Sequence, residues 1–216
     1  MGKIDLLVMI MEFAGIVAFA VSGAVTAIKH RMDIMGVNVL AVVTAVGGGI
    51  IRDIILGRTP PAAFTNYSYI LMSLITANIV FIIIYIAQSK KSEEVLTRIY
   101  DMMMKIFDTI GLGVFTVTGM NAALECGYDG FLIVVFSGFI TGVGGGMLSD
   151  IIANRRPYVL IKHVYASASL LGAVLFYFIR IYFGFIPAAC ICFAAVVAVR
   201  TLAIIFRWNL PGINTK

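Results

Sequence analysis

Residues Val43 to Pro60, VTAVGGGIIRDIILGRTP, recur ninety-seven positions later as Ile140 to Pro157, ITGVGGGMLSDIIANRRP, with ten of the eighteen positions identical. Any fold of this chain must accommodate the same segment twice. With a shift of ninety-six the match spreads outward, setting Glu12 on Asp108, Gly23 on Gly119, Asp33 on Asp129 and Tyr69 on Tyr165. Each copy carries three adjacent glycines and, four residues after the last of them, an aspartate, all near the middle of an apolar run. Glycine triplets and carboxylates are what a lipid-spanning helix tolerates least, so finding both twice points to a site.

The surroundings are membrane-grade. Of 216 residues 61% are apolar and 12% charged, far from the balance of a soluble domain. Cutting at charged and Pro/Gly-rich breaks leaves seven spans, approximately 6–28, 35–56, 67–87, 103–123, 131–153, 160–180 and 184–206. Each is close to the roughly 20 residues a helix needs to cross the hydrocarbon. The first run is too long for the core of a secretory signal and reads as a retained span. The predicted fold class is an all-α polytopic membrane protein: two three-helix repeats, residues 1–87 and 102–181, joined by a charged cytoplasmic linker, 88–101, and followed by a seventh helix and tail, 182–216. Because three is odd, the second repeat enters from the opposite side, so the repeats are inverted, a geometry common among transport proteins.

The net charge of +5 would suggest nucleic acid in a soluble chain, but here the basic residues sit in short loops. No nucleic-acid partner is expected. Four Lys and Arg fall on the N-terminal side and twelve on the other, which predicts an N-terminus outside and a cytoplasmic C-terminus. Cys126, Cys190 and Cys192 have no CxxC spacing and no His partner, so neither a disulfide framework nor a metal site is expected, and no cofactor. No P-loop, HExxH or nucleophile elbow occurs, which argues against an enzyme.

Three adjacent glycines weaken a helix, so spans two and five are expected to break at Gly47, Gly48, Gly49 and at Gly144, Gly145, Gly146. The half-helices that follow would turn their positive ends into the membrane interior, suited to an anionic group or to water. Asp53 and Asp150 would stand one turn beyond, and with Glu12 and Asp108 would line a hydrophilic pathway. The alternative is that Arg52 neutralises a carboxylate from another helix, Glu12 or Asp108, and locks the bundle. Ser149 replaces that arginine in the second copy, which makes the pathway electrically asymmetric. Gly15, Gly23, Gly111, Gly113, Gly119 and Gly172 read as packing glycines. Thr44, Thr116, Thr118 and Thr141 either line a pore or bond back to their own helices. Arg200, near one end of the last span, either snorkels to the interface, the favoured reading, or pairs with an acid in a neighbouring helix.

The paired motifs GGGIIRDIILGRTP and GGGMLSDIIANRRP on a three-plus-three-plus-one frame resemble the bacterial and archaeal relatives of the trimeric intracellular cation channels, whose repeated domain is also catalogued as a glycine transporter domain. The resemblance covers nearly the whole chain. It implies a homotrimer in a prokaryotic plasma membrane, with membrane lipid around it and a pore in every protomer. It also implies a hinge at Gly47–Gly49 and Gly144–Gly146 and a polar constriction of Arg52, Asp53 and Asp150, with Ser149 departing from the usual arginine. Three functions follow as expectations: a channel for K⁺ and Na⁺, a carrier of a small zwitterion such as glycine, or a membrane scaffold.

Overall fold

In the computed structural model the chain is described over residues 2–88, 93–157, 164–206 and 208. The helices run α1 (Lys3–Lys29), α2 (Ile34–Ile55), α3 (Ala62–Thr65), α4 (Ser68–Gln88), α5 (Glu93–Glu125), α6 (Phe131–Ile152), α7 (Tyr165–Phe183) and α8 (Phe185–Ile205). Among the described residues seven of these, all but the single-turn α3, are long and apolar enough to cross a membrane. That is the expected all-α, seven-span class. Residues 160–163, where span six was expected to begin, lie outside the described residues, as does most of the C-terminal tail.

Chain order dictates the packing. α1 lies against α5 and α2 against α6, pairing each helix with its own duplicate, while α4 closes the first copy and α7 the second. Two apolar clusters result, one built on α1, α2, α4 and the start of α5, the other on the end of α5, α6, α7 and α8. The outward faces stay apolar, as with Ile79, Ile82 and Ile83 on α4, which suits lipid or another protein surface.

Two expectations are corrected. The segment assigned to the linker is largely helix, because α5 begins at Glu93, well before the apolar run expected at 103. Leu96, Tyr100 and Met104 recur at helical spacing and are buried against the first cluster, so this extension is an amphipathic ridge docked on its neighbours. The second correction concerns the triplets: helices two and five are not glycine-broken. α2 and α6 run without interruption through Gly47–Gly49 and Gly144–Gly146, so no half-helix ends point into the interior. A helix in hydrocarbon keeps its ladder unless something else satisfies the freed groups. What the glycines provide is space. A Cβ on Gly48 would fall 2.3 Å from the Thr141 carbonyl oxygen, and one on Gly145 would fall 2.1 Å from that of Thr44. The triplets are the point at which α2 and α6 touch backbone to backbone, and that contact offsets the roughly 0.5–1 kcal/mol each mid-helix glycine costs.

The other small residues behave as expected of packing glycines. Added Cβ atoms at Gly23 and Gly119 would lie 2.5 and 2.4 Å from the hydroxyls of Thr44 and Thr141, so the duplicated crossings match. Those two hydroxyls, and that of Thr116, bond back to the carbonyls of Leu40, Ser137 and Leu112. Thr118 does not.

Candidate functional site

The chemistry-bearing residues gather in two cavities, one on each side of the glycine crossing. Along α1, Glu12 and Ile16 line the first and Ser22 and Thr26 the second; along α5, Phe115 and Thr118 line the first and Met104 and Asp108 the second. The first, here the amino-terminal cavity, lies toward the chain's start, and the second toward the linker. They leave about 40 and 30 Å³ for water centres. About 10–15 Å³ suffices for one water, so each has room for a few.

Between them run Gly48, Gly145 and Phe19, which line neither. Phe19 is 1% exposed, and its ring centroid lies 5.0 Å from that of Phe115, its own counterpart at the ninety-six-residue shift. The duplicated aromatics thus meet each other on the pseudo-two-fold axis. The threonines cross over: Thr44 of the first copy lines the linker-side cavity, and Thr141 of the second lines the amino-terminal one.

In the amino-terminal cavity Asp53 is 1% exposed and fully engaged. Arg52 donates to its Oδ1 from Nε (2.9 Å) and Nη2 (2.7 Å), and the Ala62 backbone N–H donates to Oδ2 (2.8 Å). Arg52 therefore pairs with its chain neighbour and not with Glu12 or Asp108, the carboxylates of other helices considered from sequence. Glu12 accepts from the Tyr69 hydroxyl at Oε2, 2.7 Å. Gly49 lines the same wall.

The linker-side cavity repeats this frame with different charges. Asp108 accepts from the Tyr165 hydroxyl at Oδ1 (3.0 Å), the counterpart of the Glu12–Tyr69 bond. Its Oδ2 takes a second bond, from Arg200 Nη2 at 3.1 Å, and the Arg200 guanidinium carbon stands 4.3 Å from the Tyr165 ring centroid. Arg200 is 6% exposed, which corrects the expectation that it snorkels: the acid on α5 holds it inside. Asp150 accepts from Arg155 Nε at 2.6 Å and is also paired through Nη2. Ser149, standing where Arg52 stands in the first copy, is buried in the same wall beside Gly146.

The expected site residues are thus brought together in two groups: Glu12, Arg52, Asp53 and Gly49 in one cavity, Asp108, Ser149, Asp150 and Gly146 in the other. Gly47, Gly48, Gly144 and Gly145 belong to the crossing between them. Asp53 and Asp150 do not share one constriction, because the two-fold axis sets them on opposite sides of it. Four participants escaped the sequence reading of the site. Tyr69 and Tyr165 were visible as an aligned pair, and Arg155 as the identical partner of Arg58 in the repeat. Arg200 carried the signal of a charge inside an apolar span.

Comparisons with known proteins agree with this architecture. A family model described as Glycine transporter matches twice, over residues 9–85 and 105–180. Among curated relatives, a UPF0126 membrane protein of Deinococcus radiodurans is 39% identical over 76% of this chain and 72% of its own length, and the membrane protein YvgT of Bacillus subtilis is 31% identical over 94% and 95%. Among solved structures, a prokaryotic TRIC channel in 0.5 M KCl is 32% identical over 95% of this chain and all of its own, with a TM-score of 0.84. The TRIC trimeric intracellular cation channel orthologue from Rhodobacter sphaeroides is 31% identical over 94% and 99%, with a TM-score of 0.82. A duplicated three-helix unit crossing at paired glycine triplets, matched along nearly its whole length by the solved TRIC structures, makes this chain a membrane protein of the TRIC family.

Proposed function

We propose that the protein is a membrane channel, not an enzyme, that conducts small monovalent cations, K⁺ and Na⁺, through a hydrophilic path in each protomer of a homotrimer. The observation that carries this reading is the pair of charged cavities, each with room for a few waters, that lie on either side of one glycine crossing and one aromatic pair. A conducting path through seven apolar helices needs polar groups where the hydration shell is lost, and Glu12, Asp53, Asp108, Asp150 and Ser149 supply them. Here Gly47–Gly49 and Gly144–Gly146 act as the close crossing that thins the wall between the cavities. Arg52 and Arg155 hold the aspartates in place.

The proposed setting is a prokaryotic plasma membrane with the N-terminus outside and the C-terminus cytoplasmic, supported by the loop charge bias. Residues 1–87 and 102–181 act as the two inverted halves, and 182–216 supplies Arg200. The homotrimer is supported by the likeness to the Rhodobacter sphaeroides protein, described as trimeric. Light scattering in detergent is expected to give three chains per particle. A carrier of glycine is the second reading, favoured by the description of the family model.

Recordings from the purified protein in planar bilayers decide between them. Unitary currents that reverse with the K⁺ gradient are expected. Saturable glycine uptake without unitary conductance would replace the channel by the carrier, and flux of neither would leave a scaffold.

A further inference from the structure

The second copy shows what a cation does beside an acid–tyrosine pair of this fold. Asp108 uses one oxygen for Tyr165 and the other for Arg200, which comes from α8, the helix outside the duplication. The first copy has the same pair, Glu12 with Tyr69, but no eighth helix beside it to provide an arginine. Glu12 Oε2 takes the Tyr69 bond, and among the described residues no donor reaches Oε1. Of the two guanidiniums near Glu12, Arg52 gives both its hydrogen bonds to Asp53 and Arg58 is exposed.

The balance of the two walls follows. Two carboxylates and one guanidinium line the amino-terminal cavity, whereas two carboxylates face Lys105, Arg155 and Arg200 in the linker-side one. The first therefore carries a surplus negative charge, and the second a surplus positive one. An independent feature points the same way. The Thr118 hydroxyl lines the amino-terminal cavity, its residue is 2% exposed, and it has no hydrogen-bond partner among the described residues. A buried hydroxyl left unpaired is costly, so a partner within the cavity is implied, and its free lone pairs can be given to a cation while its O–H turns to water. The Thr141 hydroxyl, which donates to Ser137, offers its own lone pairs to the same space.

We propose that the amino-terminal cavity is a resting site for one monovalent cation, held by the Glu12 carboxylate and the Thr118 hydroxyl in the place that Arg200 fills beside Asp108. The ligands are oxygens of one charged and otherwise neutral groups, which suits a partly hydrated K⁺ or Na⁺ and not a divalent ion. As a stopping point for the permeant the site rests on the channel reading, and the tests below separate the two. The linker-side cavity, with its tethered arginine, takes no second ion.

Crystals of the full chain grown in rubidium salt test the site through anomalous scattering. One rubidium peak beside Glu12 is expected, and none beside Asp108. Glu12→Gln removes the peak and lowers unitary K⁺ conductance at low K⁺ by about five-fold, the loss expected from one carboxylate acting across partly hydrated space. Thr118→Val keeps shape and removes the hydroxyl, so it serves if the Glu12 variant does not fold. A weaker peak and about two-fold lower conductance support the site on the same electrostatic scale. Unchanged conductance with raised thermal stability overturns it, because the hydroxyl then was merely an unpaired group. Arg200→Gln is expected to bring a second peak, beside Asp108. A rubidium peak in a protein that carries no current supports the site and removes the channel; K⁺ current with no peak at Glu12 and an indifferent Glu12→Gln variant removes the site and leaves the channel.

Discussion

The two cavities are built from one sequence used twice, yet they hold their charges by different bonds. In the first, Asp53 is paired by the residue before it in the chain; in the second, Asp150 is paired by Arg155, five residues on, beyond the helix end. The acid on the first helix of each copy, Glu12 on α1 and Asp108 on α5, is left to a tyrosine in one and shared with a guanidinium from α8 in the other. Duplication preserved the backbone crossing, where two carbonyls and two glycines must meet, and allowed the charges to be rewired around it. Backbone geometry here is constrained by an approach so close that an added Cβ would overlap the facing carbonyl oxygen, whereas a salt bridge can be made from several places.

The largest test of that difference is the removal of each aspartate. Asp53→Ala strands the Arg52 guanidinium, whose side chain is 8% exposed, and is expected to cost about 3–5 kcal/mol, read as thermal loss of monodisperse protein in detergent. Asp150→Ala should cost about 1–2 kcal/mol, because Arg155, 21% exposed, can turn to water. Removing Arg52 together with Asp53 should recover most of the loss, with a coupling of about 2–3 kcal/mol. Equal losses at the two aspartates would mean that the different pairing has no energetic consequence.

The middle-sized test separates a crossing from a hinge. Gly48→Ala places a methyl group 2.3 Å from the Thr141 carbonyl oxygen, and backbone on both sides must part. The expected cost is about 1–3 kcal/mol despite the gain in helix propensity. Gly49→Ala meets only the tip of Arg52, at 3.7 Å, and should be neutral or stabilising by up to about 1 kcal/mol. If the triplets served as hinges, both changes would impair the protein in the same way, and unitary conductance would fall with each. A unique loss at Gly48, matched by Gly145→Ala across the pseudo-two-fold axis, fits the crossing alone.

Much of this fold was legible in the sequence, for physical reasons. Span length follows from bilayer thickness, and the odd count within each repeat dictates inversion, so seven helices and their order needed no partner information. The glycine triplets misled because a single chain read in one dimension shows the weakened helix and hides the second helix that fills the gap. Ser149 marked a difference between the copies, but the pairing of Asp150 by Arg155 was hidden by the repeat itself. Arg58 and Arg155 are identical in alignment, while the first is exposed and the second folds back on Asp150. Arg200 was judged by its depth along the span, when its place is decided by an acid ninety-two residues away.

The smallest effect is expected where the two halves are tied at the surface. Lys29, in the last turn of α1, pairs with Asp101 on the extension of α5, and both side chains are a third or more exposed. A helix C-terminus favours the lysine and water competes for both partners, so Lys29→Ala should cost no more than about 1 kcal/mol. Raising ionic strength should erase most of the difference between variant and parent. The α5 extension is held instead by Leu96, Tyr100 and Met104, an apolar ridge that salt does not weaken. A loss well above 1 kcal/mol that persists in high salt would show that the ion pair, and not the ridge, docks the second half of the molecule onto the first.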